Sequence, residues 1–258
     1  MAWHYKQHGT GRPLVLLHGI GMSSNAWKPV MPILAAQRRV IAFDLPGFGR
    51  TPPLPAGTPP TAENIIRSLK DSLHEMGIDE PVDFAGNSLG GYFAMEAARR
   101  GLARSVVALS PGGLWERDAS AHVKPLFNIM RKGLKAFPLL GEALVLFPPL
   151  RMMLMAVPMT SQGWKIPARD AIVSLRNFAR SPGFDDTLEA VEPFRDGRKI
   201  TVPLTVAFGD RDWLLTAASQ NRGELPAHTR WLKPRGWGHV PMWDDPRGVA
   251  QLIIEGTR

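Results

Sequence analysis

The chain has 258 residues, enough for one domain with a sizeable core and room for an insertion. It contains no cysteine, which excludes disulfides, zinc–thiolate sites and a cysteine nucleophile. Its net charge of +8 is spread along the chain and reads as a solvated basic surface, because no zinc finger, ribonucleoprotein motif or basic repeat points to nucleic acid.

Met1 to Lys6 lacks the basic-then-apolar layout of a signal peptide, and no run of 18 apolar residues occurs. The expectation is a cytoplasmic protein with no integral membrane segment. Two or three short strands are expected from Trp3 to Leu17, with a turn at Gly9-Thr10-Gly11. Leu14 to Leu17 is wholly apolar, as in a strand covered on both faces. His18-Gly19-Ile20-Gly21 follows as a loop, with His18 as a structuring group. Ser24 to Ala36 predicts a helix whose early turns Pro29 and Pro32 disturb. Arg39 to Phe43 predicts a strand, and Asp44 to Gly49 a structural loop. Thr51 to Pro60 is rich in proline and reads as a surface excursion. The next helix starts at Thr61 to Asn64, carries Ile65, Ile66, Leu69, Leu73 and Met76 on one face, and ends at Gly77.

Val82 to Ala85 predicts a strand and Tyr92 to Arg100 a helix closed by Gly101. Between them lies Gly86-Asn87-Ser88-Leu89-Gly90, a G-x-S-x-G turn of the nucleophile-elbow type. Glycines suit that turn because flanking side chains would clash across it. Further strands are expected at Ser105 to Leu109, Leu204 to Phe208 and Thr229 to Leu232, and a terminal helix at Val249 to Glu255. Strands alternating with helices predict the α/β class, a mostly parallel sheet with helices on both faces. Leu114 to Phe194 holds no clear strand, only helix-like pieces such as Val123 to Ala136 and Ala168 to Ala179. The expected organisation is a core of residues 1–114 and 196–258 with a helical cap of residues 115–195.

A serine hydroxyl needs a base beside it, and the base needs an acid to orient it. His239, in a loop of glycines after the last strand, is the candidate base. His4, His8, His74, His122 and His228 read as surface or strand residues. Asp212 is the candidate acid and Asp210 its rival. Both follow the strand at Leu204 to Phe208, but Asp212 reaches further over the sheet edge. Asp210 and Arg211 read as a loop-shaping charge pair.

The ordered set His18-Gly19, Asp44 to Gly49, Gly86 to Gly91, Gly209 to Asp212 and Gly238-His239 resembles the α/β-hydrolase fold family, in its capped serine-esterase-like branch. The resemblance implies a catalytic triad of Ser88, Asp212 and His239. It also implies an oxyanion hole made by the backbone N–H groups of Ile20 and Leu89. No cofactor or metal is expected, since no nucleotide-binding glycine loop or metal-ligand helix is present. Relatives acting on epoxides or haloalkanes carry an aspartate at the elbow, so Ser88 argues against both. The implied activity is hydrolysis of carboxylic esters of small to medium hydrophobic substrates. The runner-up is carbon–carbon bond hydrolysis of aromatic ring-cleavage products, with Arg176 or Arg180 as cationic anchors. A non-catalytic small-molecule receptor is the third reading.

Met130, Met152, Met153, Met155 and Met159, with Phe127, Phe137 and several leucines, make the cap region apolar. Two readings stand: an adaptable pocket for an acyl or aromatic group, and ordinary packing of cap on core. Arg117 to Arg169 carries eight Lys/Arg and two Asp/Glu; basic charge beside exposed apolar residues can favour an anionic membrane surface, and a solvated cap face is the preferred reading.

Overall fold

Seven strands form one sheet in the order β1-β3-β2-β4-β5-β6-β7. In the computed structural model, residues 1–115, 123–156 and 159–258 are described. Arg117, Asp118 and His122, counted above, lie outside them. The strands are β1 (Tyr5–His8), β2 (Pro13–Leu17), β3 (Arg39–Phe43), β4 (Val82–Asn87), β5 (Ala103–Leu109), β6 (Leu204–Ala207) and β7 (Arg230–Leu232). Among the described residues only β1 runs antiparallel, against β3; the other pairings are parallel. The predicted α/β class and mostly parallel sheet are what the chain forms.

The all-apolar runs have the expected cause. Along β2, Val15 and Leu17 face one core and Leu14 and Leu16 the other. The first core takes helices α2 (Ala62–Glu75), through Ile65, Ile66, Leu69 and Leu73, and α3 (Leu89–Arg99), through Phe93 and Met95. The second takes α1 (Met31–Ala35) and α9 (Pro246–Gly256). The helix expected from Ser24 to Ala36 is a correction: it breaks into a short 3-10 turn at Ser24–Trp27 and the five-residue α1. Pro29 and Pro32 supply no amide hydrogen, and Pro32 fits only because it enters the first turn of α1.

Between β5 and β6 the described residues are helical: α4 (Val123–Ala136), α5 (Pro138–Leu144), α6 (Pro148–Ala156), α7 (Ala168–Arg180) and α8 (Phe184–Ala190). Phe127, Phe178 and Phe184 pack edge-on with centroids 5.2–5.9 Å apart, joining α4, α7 and α8. Gly183 donates its N–H to the carbonyl of Gly47 at 3.0 Å, and a Cβ at Gly183 would sit 2.8 Å from the Gly47 Cα. The helices thus meet the loop after β3 backbone on backbone.

The sheet order reverses between β2 and β4, so the loops after these strands diverge and leave a crevice at their carboxyl ends. The β4–α3 turn can form there only with glycine on both sides. A Cβ at Gly86 would overlap the carbonyl of Gly90, and one at Gly90 the carbonyl of Leu17. Gly90→Ala is expected to lower stability by about 3 kcal/mol or more, read as a shift in the urea midpoint. Gly133→Ala, with open space around a helical position, is expected to be neutral or stabilising by about 0.5–1 kcal/mol. Equal midpoints for the two variants would refute the packing argument.

Candidate active site

Ser88 sits between β4 and α3 at φ 55°, ψ −117°, a region that non-glycine residues avoid. Its backbone is pinned from three sides. The N–H donates to the Leu109 carbonyl at 2.9 Å, and the carbonyl accepts from the Tyr92 and Gly112 N–H groups, each at 3.0 Å. Leu89 is the first residue of α3, where backbone N–H groups have no partner within the helix and the macrodipole is positive. Gly19, at the end of β2, lies so close that a Cβ there would be 3.3 Å from the Ser88 Cβ. Ile20 follows it, and Ile20, Ser88 and Leu89 line one cavity.

Asp212 and His239 meet. The His239 Nδ1 and Asp212 Oδ2 are 3.0 Å apart, and their side chains are 3% and 1% exposed. The other Asp212 oxygen accepts from the N–H groups of Leu214 at 3.0 Å and Leu215 at 2.9 Å. Burial pushes the Asp212 carboxyl up, but His239 and the Leu215 N–H outweigh it and hold the pKa below the ordinary aspartate value. Asp210 is elsewhere: its Oδ1 accepts from the Gly236 N–H at 2.6 Å, so it shapes the loop through backbone rather than by the expected pairing with Arg211. Ser88 and His239 line the same small recess, with Gly19, Met159 and Leu214.

Several supports were given no role of their own in the sequence reading. Gly209 lets the β6 loop touch the β7 loop, since a Cβ there would overlap the Trp237 carbonyl; that carbonyl accepts from the Arg211 N–H at 3.0 Å. Buried Asn87 donates to the carbonyls of Leu109 and His239 at 3.1 and 2.8 Å, so the variable position of the elbow motif holds the histidine loop. Asp244 accepts from the Gly238 N–H at 2.7 Å, the Gln162 N–H at 2.9 Å, the Ser161 N–H at 3.2 Å and the Thr160 hydroxyl. With the Val240 N–H donating to the Met159 carbonyl at 2.6 Å, both sides of His239 are clamped to residues 159–162. Aspartate five residues after a loop histidine is the available sequence cue, and it acquires meaning only once the loop is seen.

His18 structures its loop as expected. It is fully buried, its Nδ1 lies 2.7 Å from the Gly19 carbonyl, and its Nε2 accepts from the Leu45 N–H at 3.0 Å. That pattern fits the neutral ring with hydrogen on Nδ1. Asp44 accepts from the N–H groups of Ser24 at 2.6 Å and Arg50 at 2.9 Å. It organises the loop after β3, as its structural reading expected.

The cavity at Ser88, about 340 Å³, is walled by core and helical residues together. Ile20, Leu89, Phe127, Leu188, Val191 and Leu215 supply its apolar faces. Lys124 and Tyr92 add polar groups, with burial pushing the Tyr92 phenol up to about 12. Both readings of the methionine-rich stretch hold in part, since Met130, Val145 and Met155 pack inward. Of it, Phe127 reaches this cavity and Met159 the recess by His239, while Phe137, Leu139, Leu140, Leu146, Phe147 and Met153 point to solvent. Arg176 is a second correction: its guanidinium grips Glu142 at 2.7 and 2.6 Å on the exterior, and Arg180 is also exposed. Among the described residues no group of three or more His, Asp or Glu is placed to hold a metal ion.

The model of the alpha/beta hydrolase family matches residues 14–252. A pimeloyl-[acyl-carrier protein] methyl ester esterase of Legionella pneumophila (strain Lens) is 38% identical over 95 residues, 37% of this chain and 35% of that protein. A 2-hydroxy-6-oxo-6-(2'-aminophenyl)hexa-2,4-dienoic acid hydrolase of Metapseudomonas resinovorans is 35% identical over 129 residues, 48% of this chain and 43% of its own length. The chain therefore spans less than half the length of these curated relatives. The crystal structure of a membrane phospholipase A, described as a bacterial virulence factor, superposes with a TM-score of 0.76 at 23% identity, covering 98% of this chain and 82% of that one. At that identity the likeness concerns the fold alone.

Burial lowers the His18 pKa below 6.5. The unfolded chain accepts a proton there that the folded chain refuses, so the His18 contribution is complete above about pH 6.5 and is lost as pH falls below it. Urea titrations between about pH 7 and pH 5 are expected to show stability falling with pH, with a shallower slope in His18→Gln. The same slope in both proteins would refute the neutral buried ring.

Proposed function

The chain belongs to the alpha/beta hydrolase family, and within it we propose that the protein is a serine hydrolase cleaving carboxylic esters with an apolar acyl or alkyl group. One observation carries this reading: the buried Asp212–His239 pair at 3.0 Å opens onto the same recess as Ser88.

In this mechanism the Ser88 Oγ attacks the ester carbonyl while the His239 Nε2 takes its proton. Asp212 keeps the Nδ1 hydrogen on its own side and stabilises the imidazolium. The carbonyl oxygen, now negative, is received by the N–H groups of Leu89 and Ile20. Each such donor contributes about 2.7–4 kcal/mol to the barrier reduction in comparable sites. His239 then protonates the leaving alcohol, and water, deprotonated by His239, releases the acid from Ser88. The strained Ser88 backbone and its three hydrogen bonds support this assignment, because they fix the hydroxyl before substrate arrives. The mostly apolar cavity supports a hydrophobic substrate.

Carbon–carbon bond hydrolysis of a dienoate has weaker support. Its expected cationic anchors, Arg176 and Arg180, lie outside, which leaves Lys124 as the cation among the described cavity residues.

Ser88→Ala is expected to lower kcat on a short-chain nitrophenyl ester by roughly four to six orders of magnitude, and Asp212→Asn by about four. Wild-type protein should turn over repeatedly and label with a fluorophosphonate. Labelling without turnover identifies a receptor, and unchanged turnover in Ser88→Ala refutes the nucleophile. With matched concentrations of nitrophenyl ester and ring-cleavage dienoate, kcat/KM is expected to favour the ester. The opposite order assigns the carbon–carbon bond.

A further inference from the structure

One side of α5 and α6 serves neither the cavity nor the core. Phe137, Leu139, Leu140, Leu146, Phe147 and Met153 are each between 55% and 78% exposed. All six fall within residues 137–153, whereas large apolar side chains on an ordinary soluble surface are scattered singly. The opposite side of these helices is already packed. Val145 and Met155 are buried with Ile166 and Ala171, and the Arg151 guanidinium turns inward to donate to the Val145 carbonyl at 2.8 Å.

Charge around the patch is one-sided. Within residues 137–153 the acidic residue is Glu142, and Arg176 neutralises it through two hydrogen bonds. Exposed cations flank the stretch in sequence: Lys132 and Lys135 before it and, after it, Lys165, whose ammonium also donates to the Asp244 carbonyl at 2.7 Å, and Arg169, 3.7 Å from the Asp170 carboxylate. Apolar side chains flanked in sequence by cations match a layer with apolar depth and an anionic surface. A second copy of this chain is a poorer occupant, since a symmetric contact brings the same cations face to face.

Among the described residues no single helix is long and apolar enough to cross a membrane. Pro138–Leu144 and Pro148–Met155 meet the length and composition of a span only as a pair, and they are bent by 118° at their junction. A span must run through ~30 Å of hydrocarbon, whereas two short helices folded sharply on each other suit the interface.

We propose that the α5–α6 face docks the protein on anionic phospholipid bilayers, lying in the surface with the six apolar side chains in the acyl boundary. The cations at its edges pair with the headgroups.

The test is flotation of the full chain with vesicles of phosphatidylcholine alone and of phosphatidylcholine mixed with phosphatidylglycerol. Wild-type protein is expected to float with the mixed vesicles. The double variant Leu139→Asp/Phe147→Asp is expected to bind them about tenfold more weakly or less, and Lys132→Glu/Lys135→Glu to lose the preference for phosphatidylglycerol. Thermal melting checks that each variant is folded. Leu140→Gln/Met153→Gln replaces the first variant if it does not fold. Three results overturn the proposal: wild-type protein that stays with the soluble fraction, flotation that neither kind of variant changes, and a sedimentation-velocity dimer that the apolar variant splits without any vesicle binding. None of these readouts uses ester turnover, so the proposal fails or stands separately from the proposed activity.

Discussion

The backbone of Ser88 is the constraint on which the site rests. A non-glycine residue in this region costs roughly 1–3 kcal/mol and persists only where the surroundings over-determine it. Here β5 holds its N–H through Leu109, while α3 and the loop after β5 hold its carbonyl through Tyr92 and Gly112. The sheet spends part of its stability to keep one hydroxyl lifted above the edge, with Gly19 pressed against it from β2. Without that turn, neither the start of α3 nor the loop at Ile20 would face a common point.

The rest of the machinery is held just as firmly, and mostly by neutral or backbone groups. The β6 and β7 loops are zipped together by the Phe208 N–H to the Leu232 carbonyl, the Asp210 N–H to the Pro234 carbonyl and the Arg211 N–H to the Trp237 carbonyl. Asn87 reaches across from the elbow to the carbonyl of His239, and Asp244 ties Gly238 to residues 160–162. Each bond adds little alone, about 0.5–1.5 kcal/mol for a typical pair. Their joint effect is geometric, because they fix the loop from which the imidazole meets Asp212. Buried His18 and Asp44 do the same for the loops after β2 and β3.

Much of this was legible in the sequence because local rules and burial agree there. β3 falls on Arg39–Phe43 as read, and α4 on Val123–Ala136, since apolar runs and helical spacing are short-range signals. The elbow was readable because glycine at 86 and 90 is a steric necessity, and Asp212 could be preferred to Asp210 from reach alone. The helix expected at Ser24 to Ala36 failed where two prolines outweighed apolar content. Arg176 was misjudged because its partner, Glu142, is 34 positions away on another helix. The apolar side chains of residues 137–153 carry no mark saying whether they turn in or out. That depends on the angle between two short helices, which no periodicity within either one encodes. Asn87, Gly209 and Asp244 act through contacts between distant loops, for which spacing offers no rule.

The joint between Gly47 and Gly183 has a consequence of its own. The two chain segments touch through main-chain atoms, with no side chain between them. Such an attachment is indifferent to what residues stand nearby, provided both glycines remain. The cavity wall that α8 contributes at Leu188 can therefore be exchanged by mutation without disturbing that joint. The part of the cavity wall that comes from between β5 and β6 can thus change in shape while the turn at Ser88 keeps its own.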